Sequence, residues 1–240
     1  MRIILFFTFL LFGIQCTSAQ DAKDILAAMD KVLFSAKDKS GKVTIILIDK
    51  DGDEKVREAE MYQKGPDKKL YRYTKPESQA GIATLSLPGD VMWMALPAFE
   101  KPKRISLLSK SQAFNGTDFS WEDMATTPYS ERFTPELTST GANDYVLQLT
   151  PISGKSKYTK IILRVDKKDG YPISMLFYNE QNRLFKEATY TYEKIGKYWN
   201  AKEVVMEDKE KNHSTKIKLT DIKFDQGLSD DIFLVENMKQ

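Results

Sequence analysis

The chain has 240 residues, 41% of them hydrophobic, with 36 Lys and Arg against 34 Asp and Glu, one His and one Cys. Charges so evenly interspersed exclude an electrostatic footprint for nucleic acid and a polybasic membrane patch. A single cysteine excludes a disulfide framework, so stability must come from packing, for which 13 Phe and 11 Tyr supply the area.

Met1-Arg2 leads into an apolar run over 3–14 that is too short to span a bilayer and reads as a signal-peptide core. Thr17 and Ala19 stand at the two positions a signal peptidase reads. Residues 1–19 are therefore expected to be removed after Ala19, leaving residues 20–240 as one exported domain. Cys16 raises the alternative of a lipidated N-terminus, but that modification wants a small residue before the cysteine, where Gln15 is bulky and polar.

Over 21–36, Ile25, Leu26, Met29, Val32 and Leu33 line one face at helical spacing, with Asp24 in the first turn. From residue 42 the pattern turns to strands: 43–48 and 54–63 joined by an Asp51-Gly52 hairpin, then 69–74, 83–87, 91–96 and 103–108. The stretch 109–141, with Gly116, Pro128, Pro135 and Gly141, reads as excursions and short helices rather than sheet. Strands return at 145–150, 158–166, 173–178, 184–193, 199–207 and 215–224, through connections too short for crossover helices. Ser229 then caps a helical turn over 229–233.

Ile161, Leu163 and Val165 alternate with Lys160 and Arg164, and Ile173, Met175 and Phe177 flank Ser174, so one side of the sheet is dry. A meander of about eleven strands with one dry face is expected to curl into a strongly curved or partly closed antiparallel barrel.

Catalytic patterns are missing. His213 is alone and falls at an expected hairpin tip, where it reads as a solvated turn residue. Asp49, Asp51 and Asp53 resemble a calcium loop only superficially, because Gly52 is misplaced and no bidentate glutamate follows. With no phosphate loop, serine elbow or paired buried carboxylates, the expectation is a protein that is not an enzyme and uses no cofactor or metal. The triplets Asn115-Gly116-Thr117 and Asn212-His213-Ser214 match the glycosylation pattern, which is common by chance. What stands out is a density of soft apolar groups, Val91, Met92, Trp93, Met94, Leu96, Phe99, Ile105, Leu107 and Leu108, which suits either a core or the lining for a flexible ligand.

Residues 89–99, Gly-Asp-Val-Met-Trp-Met-Ala-Leu-Pro-Ala-Phe, followed by Lys103-Arg104-Ile105, resemble the outer-membrane lipoprotein-sorting family, relatives of the periplasmic carrier LolA. Residues 114–124, Phe-Asn-Gly-Thr-Asp-Phe-Ser-Trp-Glu-Asp-Met, resemble that family's next block. Ala95, where many relatives carry a bulkier residue, and Glu100-Lys101-Pro102 ahead of the basic pair depart from the pattern.

The resemblance implies a mainly β, curved, half-open antiparallel barrel with a helical lid, and a carrier that holds the acyl chains of a lipoprotein or lipid and moves them toward the outer membrane. It implies wall residues among Met92, Trp93, Met94, Leu96, Phe99, Ile105, Leu107, Phe119, Trp121, Leu147, Leu163 and Met175, and a lid face of Ile25, Met29 and Leu33. Expected partners are acyl chains, an inner-membrane transporter and an outer-membrane receptor, with the protein a monomer. The alternative is a non-enzymatic interaction module that supports an envelope transporter or scaffold.

Overall fold

The structure, a computed structural model, describes residues 17–89, 91–106, 112–154 and 156–239, with side chains from residue 21 onward. Cys16 and most of the expected signal peptide lie outside the described residues. Helix α1 runs Thr17–Leu33, so it starts and ends earlier than the spacing predicts, and Asp24 falls in its middle rather than in its first turn. At its C-terminal end the Ser35 hydroxyl donates to the Val32 carbonyl at 3.0 Å, and the chain passes at once into β1, Asp38–Ile48.

Thirteen antiparallel strands form one sheet. After β1 come β2 (Glu54–Lys64), β3 (Lys68–Lys75), β4 (Ala83–Leu87), β5 (Val91–Ala95) and the short β6 (Lys103–Arg104). The second half holds β7 (Phe133–Thr140), β8 (Asp144–Pro151), β9 (Lys160–Asp166), β10 (Pro172–Tyr178), β11 (Leu184–Ile195), β12 (Tyr198–Asp208) and β13 (His213–Phe224). The order β6-β5-β4-β3-β2-β1-β13-β12-β11-β10-β9-β8-β7 makes each half a meander, joined where β1 pairs with β13. Edges β6 and β7 do not pair, so the sheet curves without closing.

Two expectations on this region are corrected. The 109–141 stretch contains not only the short helix α2, Tyr129–Arg132, but also β7, where Phe133 and Pro135 are buried between exposed Thr134 and Glu136. Pro135 fits a strand because β7 is an edge, where a missing N–H costs no ladder bond. The β1 strand also starts five residues earlier than its apolar run, with a register shift between Ser40 and Lys42. Gly41 is required there, since a Cβ would meet Ile222 Cδ1 at 2.4 Å and the Thr220 carbonyl at 2.9 Å.

Alternation divides the sheet into two faces. On the convex face of β3 to β5, Leu70, Leu85 and Trp93 lie in register and are covered by the C-terminal turns through Phe233 and Met238. Arg72 donates to the Asn237 and Met238 carbonyls, and Lys64 and Lys68 pair with Asp230, which straps that tail down. Ser229 caps its first turn as the sequence predicts, accepting from the Asp231 amide at 3.3 Å. The concave face holds the main core.

Candidate functional site

The floor of the concavity is a cross-strand row. Leu137, Leu147, Leu163, Met175, Ala188, Met206 and Thr215 pair in succession from β7 to β13, and Leu47 of β1 completes it. Of the predicted wall residues, Leu147, Leu163 and Met175 share this row and are at most 1% exposed.

Two pieces of chain lie over the floor. One is α1, which buries Ala22, Leu26 and Met29 and rests Ile25 and Leu33 against the same cluster, so the three predicted lid residues all face the concavity. Its Asp30 is buried and accepts from the Tyr129 amide at 3.0 Å and the Ser130 amide at 2.8 Å, capping α2 from another helix. The other is the connection from β6 to β7, described from residue 112. It folds into a loop bridged at Ala113 and Ser120, with Asn115 and Gly116 at φ of 48° and 73°. The loop inserts Phe114, Phe119 and Trp121 into the core, with Phe114 edge-on to Trp121 at 4.7 Å. Phe119 and Trp121 are thus part of a plug laid on the wall rather than part of the wall itself.

Buried polar groups fix this plug. Thr215 Oγ1 donates to Asp118 Oδ2 at 2.7 Å, His213 Nδ1 lies 2.9 Å from the same oxygen, and the Lys186 amine donates to the Asp118 carbonyl. Further along, the Tyr158 hydroxyl donates to Asp123 Oδ1 at 2.6 Å, and burial, reinforced by that carboxylate, pushes its pKa well up. Ser156 donates to Glu122 at 2.5 Å, and burial raises the Glu122 pKa. His213 is therefore not the solvated tip residue expected. It opens β13 half-buried against Asp118, a pairing across 95 positions that local spacing could not reveal.

Met92 is buried on the concave face, whereas Trp93 points the other way into the C-terminal strap, which removes it from the predicted wall. Met94, Leu96, Phe99 and Ile105 come together around an open pocket of about 270 Å³ at the β5–β6 edge, rimmed by Lys101, Lys103 and Arg104. Lys103 Nζ stands 3.6 Å above the Phe99 ring, and Phe99 is 43% exposed. Leu107 lies outside the described residues. The Asp49 carboxylate accepts from the Asp51 and Asp53 amides, which makes the loop a self-bonded hairpin tip and lowers the Asp49 pKa. Among the described residues no cluster of three or more His, Cys, Asp or Glu could hold a metal ion.

The sequence signals missed the anchors Asp118, Thr215 and Lys186, and the ring of Tyr158, which lies 4.8 Å from that of Phe177, a residue that alternation puts on the dry face. Alternation would have placed Tyr190 on that face as well. Nothing local marks the anchors.

A family model described as "Uncharacterized protein" matches residues 65–240. No curated protein matches the sequence. A crystal structure described as a putative outer membrane lipoprotein-sorting protein domain from Vibrio parahaemolyticus is similar at 26% identity and TM-score 0.84, covering 92% of this chain and 100% of that one. A LolA superfamily protein from Nitrosomonas europaea is similar at 26% identity and TM-score 0.74, covering 89% and 97%. A DUF1329 family protein from Desulfovibrio piger, at 24% identity, TM-score 0.85 and coverage of 92% and 99%, shares the fold.

Proposed function

The chain belongs to the outer-membrane lipoprotein-sorting, LolA-like family, and from that premise we propose that it is a periplasmic carrier that binds acyl chains of a lipoprotein or lipid and shuttles them toward the outer membrane. The observation that carries this reading is the open pocket at the β5–β6 edge, where Met94, Leu96, Phe99 and Ile105 stand beside the apolar concave core. Burying each methylene there gains about 0.8 kcal/mol, so a long chain is held with no covalent step and released by competition alone. The reading needs no catalytic group.

In the described form, Phe114, Phe119, Trp121, Leu26 and Met29 fill the concavity at 0–6% exposure. Loading therefore means displacing α1 or the plug and exchanging their apolar contacts for those of the ligand. The same filling favours a second reading, an interaction module whose interior never opens and whose work is docking in the envelope.

Titration of the mature chain with a fluorescent fatty acid separates the two. The carrier reading expects saturable binding that Ile105→Glu weakens at least about tenfold, by burying a charge beside the acyl chain. No saturable binding by the folded wild-type protein supports the docking module instead.

A further inference from the structure

The concave face is not apolar throughout. One cross-strand row runs Lys39 on β1, Gln63 on β2, Lys69 on β3, Ser86 on β4 and Met92 on β5, each pair directly opposite in register. Ile105 ends the row, its amide donating to the Met92 carbonyl at 2.8 Å. Alternation places all of these side chains on the face that also carries Met61, Tyr71 and Tyr73. Two lysines thus sit on the inner face, Lys69 about two strand spacings, roughly 10 Å, and Lys39 about four, roughly 20 Å, from the methionines beside the open pocket.

Among the described residues neither amine has an ion pair or hydrogen bond, and Lys39 has only the Phe224 ring, 5.8 Å away. The charged group that acts on Lys39 is Lys69, a like charge. Burial, with Lys69 second, brings the Lys39 pKa down to about 7, and burial brings Lys69 down to about 8. Nearby, the Thr84 hydroxyl, in register between Tyr71 and Met94, is buried with no hydrogen-bond partner among the described residues. Two half-buried amines of one sign on the inner face, without a counter-ion among the described residues, oppose folding. Such an arrangement is retained where a ligand supplies the missing charge.

We propose that Lys39 and Lys69, with Ser86 beside them, form a binding site for the anionic headgroup, phosphate or carboxylate, of a single amphiphile whose acyl chain runs along the row past Met92 to the Met94–Ile105 pocket. This rests on the carrier reading and narrows its cargo. The fully acylated cysteine of a lipoprotein carries no anion, so the basic pair selects free anionic lipid. On binding, the two amines are held as ammonium groups and donate charge-assisted hydrogen bonds to the head.

The test is calorimetric titration of the mature chain and its Lys39→Met, Lys69→Met double variant with oleoyl-lysophosphatidic acid, oleic acid, uncharged mono-olein and inorganic phosphate. The wild type is expected to hold at least one of the two anionic amphiphiles about tenfold or more tighter than mono-olein, and the variant to lose that preference while its mono-olein affinity stays. The tighter of the two identifies phosphate or carboxylate as the head. Equal wild-type affinities for charged and uncharged amphiphiles overturn the headgroup site and leave the carrier reading standing. Inorganic phosphate binding as tightly as the lysolipid overturns the lipid source, and no binding by any amphiphile overturns the carrier reading as well.

Discussion

The inner-face lysines couple pH to stability. Their folded pKa values, about 7 for Lys39 and about 8 for Lys69, lie below the ordinary 10.5, so between those limits the unfolded chain binds more protons than the folded one. Stability of the ligand-free protein from these groups therefore rises with pH from near neutral upward, and is lowest where both are charged. Urea denaturation between about pH 6.5 and 9 should show the midpoint rising for wild type and a flatter profile for Lys39→Met, with the variant the more stable at the acid end. A variant less stable than wild type at every pH would mean that the Lys39 stem packs for stability and its charge costs nothing. Asp118 illustrates the opposite residue type, a buried carboxylate that accepts from Thr215 and stands against His213, while the Lys186 amine donates to its backbone carbonyl. Sequence alone made His213 a surface residue, because its partner is 95 positions away and only the folded sheet brings the two together.

At the scale of elements, α1 and the plug are the parts that distinguish an openable shell from a closed one. The amphipathic face of α1 was legible from the spacing of Ile25, Met29 and Leu33, since a helix on a sheet must bury one stripe. Its attachment was not legible, because Asp30 looks like any helical surface carboxylate until α2 is placed against it. Removing that cap with Asp30→Ala should destabilise the fold by about 1 kcal/mol and speed uptake of a fluorescent fatty acid in stopped flow. Asp30→Asn, which keeps a cap oxygen, should lose less on both counts. Unchanged uptake in Asp30→Ala despite lost stability would show that α1 does not gate the concavity and that the plug alone moves. The hidden strand β7 has a related cause. Its polar outer positions and Pro135 suit an edge, so the segment lacks the β-branched run that marks central strands such as β1.

For the whole molecule, the meander and the curvature follow from alternation and short turns, and thirteen strands in one sheet with two unpaired edges realise them, while the one dry face expected is joined by a second, on the convex side of β3 to β5 under the C-terminal turns. Less legible was the way the interior is occupied. Apolar residues grouped as one lining in the sequence are divided by the period of two: Met92 and Met94 face inward, and Trp93 anchors the C-terminal strap outside. Phe119 and Trp121, which composition cannot tell from wall residues, belong to the piece that covers the wall. The central claim is that this shell exchanges its own plug for an acyl chain. Native mass spectrometry of the protein, expressed from its full 240-residue sequence and purified from the cell envelope, tests it most directly. The account predicts a fraction carrying one bound lipid whose mass fits an anionic amphiphile, lost on adding excess detergent. Protein that is empty in every preparation, and that stays empty after incubation with anionic lipid vesicles, would contradict it.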